Sequence, residues 1–205
     1  MRTVKLVDVT YALPELELTN ERLAQEHPDW NLTRLGKRTG VDTRRIAAEG
    51  ETALDLAVEA SRQLLAAHPE ARETIDAVLF CTQSPDYVMP PNSALLHAEL
   101  ELADSVFALD FTLACSGYPY GLAMARGLAA AGTASSILLV TGDTYSRYIN
   151  PGDRSARVLF GDGAAVTWLV ASEEPGVVDV TSGTVGSESG AFRVPAGGCR
   201  VPHSA

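Results

Sequence analysis

Cys115 lies in the stretch Asp110-Phe-Thr-Leu-Ala-Cys-Ser-Gly-Tyr118, and its setting is that of a nucleophile. The run before it, Val106-Phe-Ala-Leu-Asp110, reads as a short buried strand. The run after it, Gly117 to about Ala131, is crowded with Ala, Gly, Leu and Met and carries one charge, Arg126. A helix that is small or apolar nearly all round is a buried helix. The sequence therefore predicts a cysteine where a strand ends and a buried helix begins. The N–H groups and dipole at a helix N-terminus favour negative charge, which suits a thiolate. Pro119 agrees, because a proline in the first turn gives up an N–H that has no intrahelical partner. Ala114 and Gly117 leave room for a substrate to approach. The bland alternative is that a lone cysteine in an apolar stretch is a small core hydrophobe.

Other chemistries lack their residues. Gly161-Asp162-Gly163 is a tight turn whose glycines permit positive φ or close backbone approach. It is not a dinucleotide fingerprint, because no Gly-x-Gly-x-x-Gly follows a strand and opens a helix. Phosphate-loop Gly-Lys-Ser/Thr and hydrolase Gly-x-Ser-x-Gly patterns are missing too, which disfavours a generic α/β hydrolase or oxidoreductase. The histidines, at 27, 68, 97 and 203, show no metal-ligand spacing, so no metal is expected, and none is an obvious general base. Cys81, Cys115 and Cys199 are odd in number and widely spaced, which is neither a disulfide framework nor a zinc site. That reads as a reduced, cytoplasmic protein. The formal charge of −10 argues against nucleic-acid binding. Apolar runs such as Ile137–Val140 are too short to span a bilayer, and the start lacks the apolar core of a secretory signal.

The elements that must position Cys115 follow from periodicity. Val4 to Val9 reads as a first strand. Thr19 or Asn20 caps a helix that His27-Pro28-Asp29 ends. Residues 33–45 are locally basic, with Arg34, Lys37, Arg38, Arg44 and Arg45 against Asp42 alone. They form either a solvated face or a phosphate-contacting mouth. Glu51 to Ala67 is an amphipathic helix with Thr52 and Asp55 in capping-box relation. Ile75–Phe80 is a strand, residues 81–91 a long loop, and Asn92 or Ser93 starts a helix to about Leu102. Ser136–Gly142 is a short buried strand, 143–157 a loop with a helical turn, and Val158–Val170 a turn and then a strand. Val177 to Thr184 reads as a last strand, and the rest is weakly patterned. Strands alternate with helices and several are continuously apolar, which predicts α/β layers with a mostly parallel sheet covered on both faces.

Three segments together resemble the β-ketoacyl-acyl-carrier-protein synthase III (ketosynthase III) family of the thiolase superfamily. They are Thr39-Gly-Val-Asp-Thr-Arg-Arg-Ile-Ala47, the Cys115 stretch, and Asp153-Arg154 followed by Leu159-Phe-Gly-Asp-Gly-Ala164. The resemblance implies a thiolase-like layered fold with a mixed sheet flanked by helices, mostly the first of its two α/β halves. Residues 1–170 would be that half and 171–205 the start of the second. It implies that Cys115 takes an acyl group from a thioester of coenzyme A or acyl-carrier protein, with its backbone N–H in the oxyanion hole. Phosphopantetheine then enters as substrate, and no cofactor is expected. Arg154 matches the arginine beside the adenine of coenzyme A. Trp30 and Arg38 are candidates for the tryptophan and arginine at the same entrance. They stand eight positions apart, wider than the family spacing, and Arg34 competes with Arg38. Met89 and Pro90 match the loop that, in the family's dimers, reaches toward the neighbouring acyl pocket. Gly161, Asp162 and Gly163 match the structural turn.

Family members are longer, and their second half supplies a histidine and an asparagine. His203 matches neither by motif. The resemblance therefore implies an acyltransferase of fatty-acid or polyketide-type biosynthesis, as a homodimer or with a chain supplying the second half. The alternative is a catalytically incomplete half that acts as a structural or carrier-protein-binding subunit. In either case, a surface that normally packs on the second half should be exposed.

Overall fold

The computed structural model describes residues 2–191 and 193–202; His203 lies outside them. In chain order the elements are β1 (Thr3–Ala12), β2 (Leu16–Thr19), α1 (Asn20–Glu26), α2 (Leu32–Thr39), β3 (Thr43–Ile46), α3 (Ala53–Ala67), α4 (Ala71–Thr74), β4 (Ala77–Cys81), α5 (Asn92–Glu99), β5 (Phe107–Phe111), α6 (Gly117–Ala131), β6 (Ser136–Asp143), α7 (Arg154–Arg157) and β7 (Gly163–Ser172). Short 3-10 turns cover Ala114–Ser116, Tyr145–Arg147 and Gly186–Glu188.

One five-stranded sheet, in the order β1-β7-β6-β4-β5, organises the molecule. β4 pairs in parallel with both β5 and β6, whereas β7 is antiparallel to both β6 and β1. The sheet is therefore mixed rather than mostly parallel. Helices cover both faces of its centre. Val78, Phe80, Leu138 and Val140 point to the face packed by α3 and α5. Ala77, Leu79, Ile137 and Leu139 point to the face packed by α6. Alternate residues of a strand face opposite ways, so a strand covered on both sides must be apolar throughout. This is why β4 and the body of β6 show no alternation. β2 and β3 form a separate two-stranded ladder.

Local signals place the helix ends. Thr52 and Asp55 form the expected capping box at α3. Thr19 caps α1 by accepting from the Arg22 N–H. α5 begins at Asn92 after Pro91, which has no side-chain cap to offer. Its cap comes instead from the next strand. The Asp110 carboxylate of β5 accepts the Asn92 and Ser93 N–H groups, each at 2.7 Å.

Four expectations are corrected. β5 is an edge strand, with Phe107 and Leu109 each 39% exposed, because an apolar run does not reveal that only one neighbour pairs with it. α6 is buried along one stripe only, Gly117, Gly121, Ala125 and Ala129, spaced four apart. No strand forms over 177–184; Val177 makes one backbone bond to Val4 O at 2.8 Å, beside the β1 edge. The basic stretch also divides. Arg44 is buried, donating to Val158 O and, at 2.6 Å, to Asn20 Oδ1. Arg45 pairs with Glu17 at 2.6 Å. Arg34, Lys37 and Arg38 remain exposed on α2.

Candidate active site

The parallel strands β4, β5 and β6 bring their carboxyl ends to one edge of the sheet, where α/β proteins place ligand-contacting residues. β7, being antiparallel, starts at that same edge. Residues that follow β4 and β5, end β6 and begin β7 are thus gathered without being near in sequence. They enclose a cavity of about 450 Å³, within the usual size range of small-molecule sites. Ala114, Cys115, Gln83, Asp143, Tyr145 and Phe160 are among the residues that line it.

Cys115 occupies the 3-10 turn between β5 and α6, one turn ahead of the helix, and it is exposed. Ala114 takes a left-handed conformation, φ 46°, which is strained for a residue with a Cβ. The strain turns the chain sharply and presents the following side chain. Ser116 locks the turn by donating its hydroxyl to Leu113 O at 2.7 Å, and it makes no side-chain cap to α6. Beneath the turn, Gly117 packs against Cys81 of β4 with no space for a Cβ. One turn on, Gly121 packs equally closely on Leu139 of β6. The small stripe of α6 therefore lets the helix sit directly on the sheet, and this fixes where Cys115 stands. Burial pushes the Cys81 thiol up, against a hydrogen bond from the Leu113 backbone, which marks it as a packing residue.

Asp143 anchors the start of the loop that follows β4. Its Oδ1 accepts the Gln83 N–H at 2.6 Å, the Ser84 N–H at 3.2 Å and the Thr82 and Ser84 hydroxyls at 3.2 and 3.3 Å. Burial raises its pKa, only partly offset by these donors. Burial likewise raises the Tyr145 pKa, helped by charge on Asp143 and on Cys115. Tyr145 thus stays a neutral phenol and donates to Gln83 Oε1 at 2.8 Å. Because the donors converge on one oxygen, Asp143→Asn can keep them all. Folded wild type holds the Asp143 proton to higher pH than the unfolded chain does. Stability from this group is thus full below the ordinary aspartate range and lost as pH rises through the raised folded value. Urea titrations across pH should show that loss in wild type and a flatter profile in Asp143→Asn.

The Gly-Asp-Gly turn braces this region from behind. Asp162 is buried and accepts the Ala47 N–H at 2.7 Å and the Ser146 N–H and hydroxyl at 2.9 and 2.6 Å. A Cβ on Gly161 would stand 2.8 Å from Arg45 O, and one on Gly163 2.9 Å from Leu13. Gly161 also lines the Cys115 cavity.

The remaining sequence-derived candidates lie elsewhere. Trp30 is buried, stacked on His27 at 3.9 Å within a small cluster of Leu18, Leu23, Leu32 and Val158. Arg38 lies on α2 and Arg154 opens α7, both exposed, and neither lines the cavity. Met89 and Pro90 sit on the β4–α5 loop, with Met89 80% exposed and Val88 beside it fully exposed. Gln83, Asp143 and Tyr145 were not anticipated. Their position just past or at the ends of buried strands was the available signal. Among the described residues no three His, Cys, Asp or Glu side chains cluster as a metal site. Nor is any helix among them long and apolar enough to cross a membrane.

Residues 109–186, which carry Cys115, Asp143 and the Gly-Asp-Gly turn, match the family described as 3-oxoacyl-[acyl-carrier-protein (ACP)] synthase III. The chain is 36% identical over 198 residues to a β-ketoacyl-[acyl-carrier-protein] synthase III of Chlamydia caviae, covering 94% of this chain and 57% of that protein. A crystal structure of a 3-oxoacyl-(acyl-carrier-protein) synthase III superposes with a TM-score of 0.92 at 43% identity, over 99% of this chain and 61% of that one. The priming β-ketosynthase of a polyketide biosynthetic pathway gives a TM-score of 0.78 at 30% identity, over 85% of this chain and 50% of that one. The chain thus spans a little over half the length of the relatives it matches. Over that span, with its thiolase-like α/β fold and its cysteine turn, this chain belongs to the 3-oxoacyl-acyl-carrier-protein synthase III, or ketosynthase III, family.

Proposed function

We propose that this chain accepts acyl groups from thioesters onto Cys115, as the acyl-loading part of a ketosynthase III-type transferase of fatty-acid or polyketide-type biosynthesis. The observation that carries the reading is an exposed cysteine on a strained strand-to-helix turn, opening into a predominantly apolar cavity. The Cys115 thiolate attacks the acyl carbonyl carbon of a coenzyme A or carrier-protein thioester. A tetrahedral oxyanion forms, and the Cys115 N–H is its proposed donor. Collapse re-forms the carbonyl and breaks the original C–S bond. The pantetheine thiolate leaves and takes a proton from water, and the acyl group stays on Cys115. The apolar walls hold the acyl tail. Arg34 or Arg38 with Trp30 at the entrance, and Arg154 toward the adenine, are the proposed contacts to coenzyme A. Met89 and Pro90 are proposed to reach a second subunit, either another copy or a chain supplying the second half. The exposed β5 edge and the apolar loop beside it support an oligomer. Three unpaired cysteines support a reducing, cytoplasmic setting.

Incubation with acetyl- or butyryl-CoA is expected to add one acyl mass, mapped to the Cys115 peptide and missing in Cys115→Ala. No adduct at any chain length, from folded protein whose Cys115 still alkylates with iodoacetamide, would replace this reading with that of a structural or carrier-binding subunit.

A further inference from the structure

β1 changes the face it presents partway along its length. Val4 packs in the core under α6, and Leu6 stands opposite Leu169 of that same core. Side chains alternate along a strand, so residue 8 of a regular strand would share the face of Leu6. Asp8 does not, because the pairing slips between Leu6 and Asp8 and leaves Val7 as the extra residue of a bulge. Asp8 stands opposite Trp168, Thr10 donates its hydroxyl to Ala60 O of α3 at 2.7 Å, and Ala12 joins the core under α3. Val9, between them, thereby turns to the other face, where it lines the Cys115 cavity with Ala165 and Thr167. One extra residue exchanges the two faces of everything that follows.

Asp8 is held where the bulge ends. Its Oδ1 accepts the N–H of Val9 at 2.8 Å, and its Oδ2 meets His68 Nε2 at 2.8 Å. His68 closes the C-terminus of α3, its backbone N–H on Leu64 O at 2.9 Å, and its ring lies against Trp168 with centroids 5.2 Å apart. Glu70 Oε1 stands 3.6 Å from the other ring nitrogen. The two donors hold the Asp8 carboxyl below the usual aspartate range, His68 more than Val9. We infer that the Asp8–His68 contact is a register lock: it fixes the β1 bulge and so keeps Val9, rather than Asp8, on the cavity side beside Cys115. Both are positioning residues, acting on the cavity from the far face of the sheet. Without His68, the bulge is free to migrate, and Asp8 then brings a carboxylate toward the thiol in place of a valine. The lock is part of how the cavity is built and stands whether or not Cys115 takes an acyl group.

The test reads the register directly and through Cys115, on the full chain. In wild type the Val9 methyls are expected to give NOEs to the methyl of Thr167, their cross-strand neighbour. His68→Ala and Asp8→Ala break the contact from either side and are expected to lose those NOEs, so the test stays decisive should one variant not fold. In His68→Ala the released carboxylate should also slow iodoacetamide labelling of the Cys115 peptide about fivefold, by disfavouring the thiolate. Asp8→Asn is expected to keep the wild-type NOEs, since its amide offers an oxygen to Val9 and a donor to His68. Deleting Val7 removes the bulge and leaves every other pair in register, so His68→Ala in that background should label at the rate of its Val7-deleted parent. Wild-type NOEs and labelling in both folded single variants would overturn the lock. So would an equal slowing by His68→Ala with and without Val7, because the contact would then act without the bulge. Alkylation needs no acyl transfer, so a missing acyl-CoA adduct would overturn the acyl-loading reading and leave the lock in place.

Discussion

Gly117→Ala is expected to destabilise the fold by about 3 kcal/mol, through overpacking. The sign makes the result informative. Gly to Ala inside a helix normally stabilises by up to about 1 kcal/mol. At Gly117 the new methyl would fall on Cys81 Sγ, with the Phe111 ring next nearest at 3.8 Å. Cys81 belongs to the sheet centre, is 5% exposed and cannot retreat. The helix must therefore rise off the strand at its first turn, carrying the Cys115 turn with it. Denaturant midpoints should show the loss, and iodoacetamide labelling mapped to the Cys115 peptide should change rate with it. Cys81→Ala combined with Gly117→Ala should recover most of the stability, because the Sγ that collides is gone. Gly127→Ala supplies the control. It lies on the same helix with nothing within 4 Å of its Cβ position and should be neutral or stabilising. A stable Gly117→Ala with unchanged labelling would remove the close helix–strand contact as the device that places Cys115.

Asp162→Ala should cost about 3–4 kcal/mol, since three donors lose one buried acceptor group. The loss should be felt in the cavity, because Ser146 follows Tyr145 directly. Looser packing of Tyr145 is expected to change the rate at which iodoacetamide labels Cys115, which lines the same cavity. Asp162→Asn should lie between wild type and Ala, at about 2 kcal/mol. Both carboxylate oxygens receive N–H donors here, so either amide orientation turns an NH₂ toward an N–H. Asp143→Asn should be far milder, because all four donors meet one oxygen. Equal losses in the two Asn variants, measured by the same denaturant titration, would contradict this account of the two carboxylates.

The pair also shows what was legible in sequence. Both aspartates follow apolar runs, and nothing in their neighbours distinguishes a carboxylate accepting on two oxygens from one accepting on one. That difference depends on Ala47 and on Gln83, which are far away in the chain and arrive only when the sheet closes.

The sequence by itself determined the local elements: the strand, cysteine turn and helix around Cys115, the capping box of α3, the starts of α1 and α5, and the Gly-Asp-Gly turn. These rest on periodicity, caps and glycine freedom, whose causes lie within a few residues. It also determined family membership, through three motifs in order. Only the tertiary structure decided that β5 is an edge, that α6 buries a single stripe, and that β7 runs against the parallel core with β1 antiparallel beside it. The same holds for the split of the basic stretch into a buried Arg44 and an exposed α2 face. A strand's composition records how apolar its surroundings are, not how many strands flank it or in which direction they run. Cys115 was therefore legible as a candidate from its neighbours in the chain. Its cavity came from strand order.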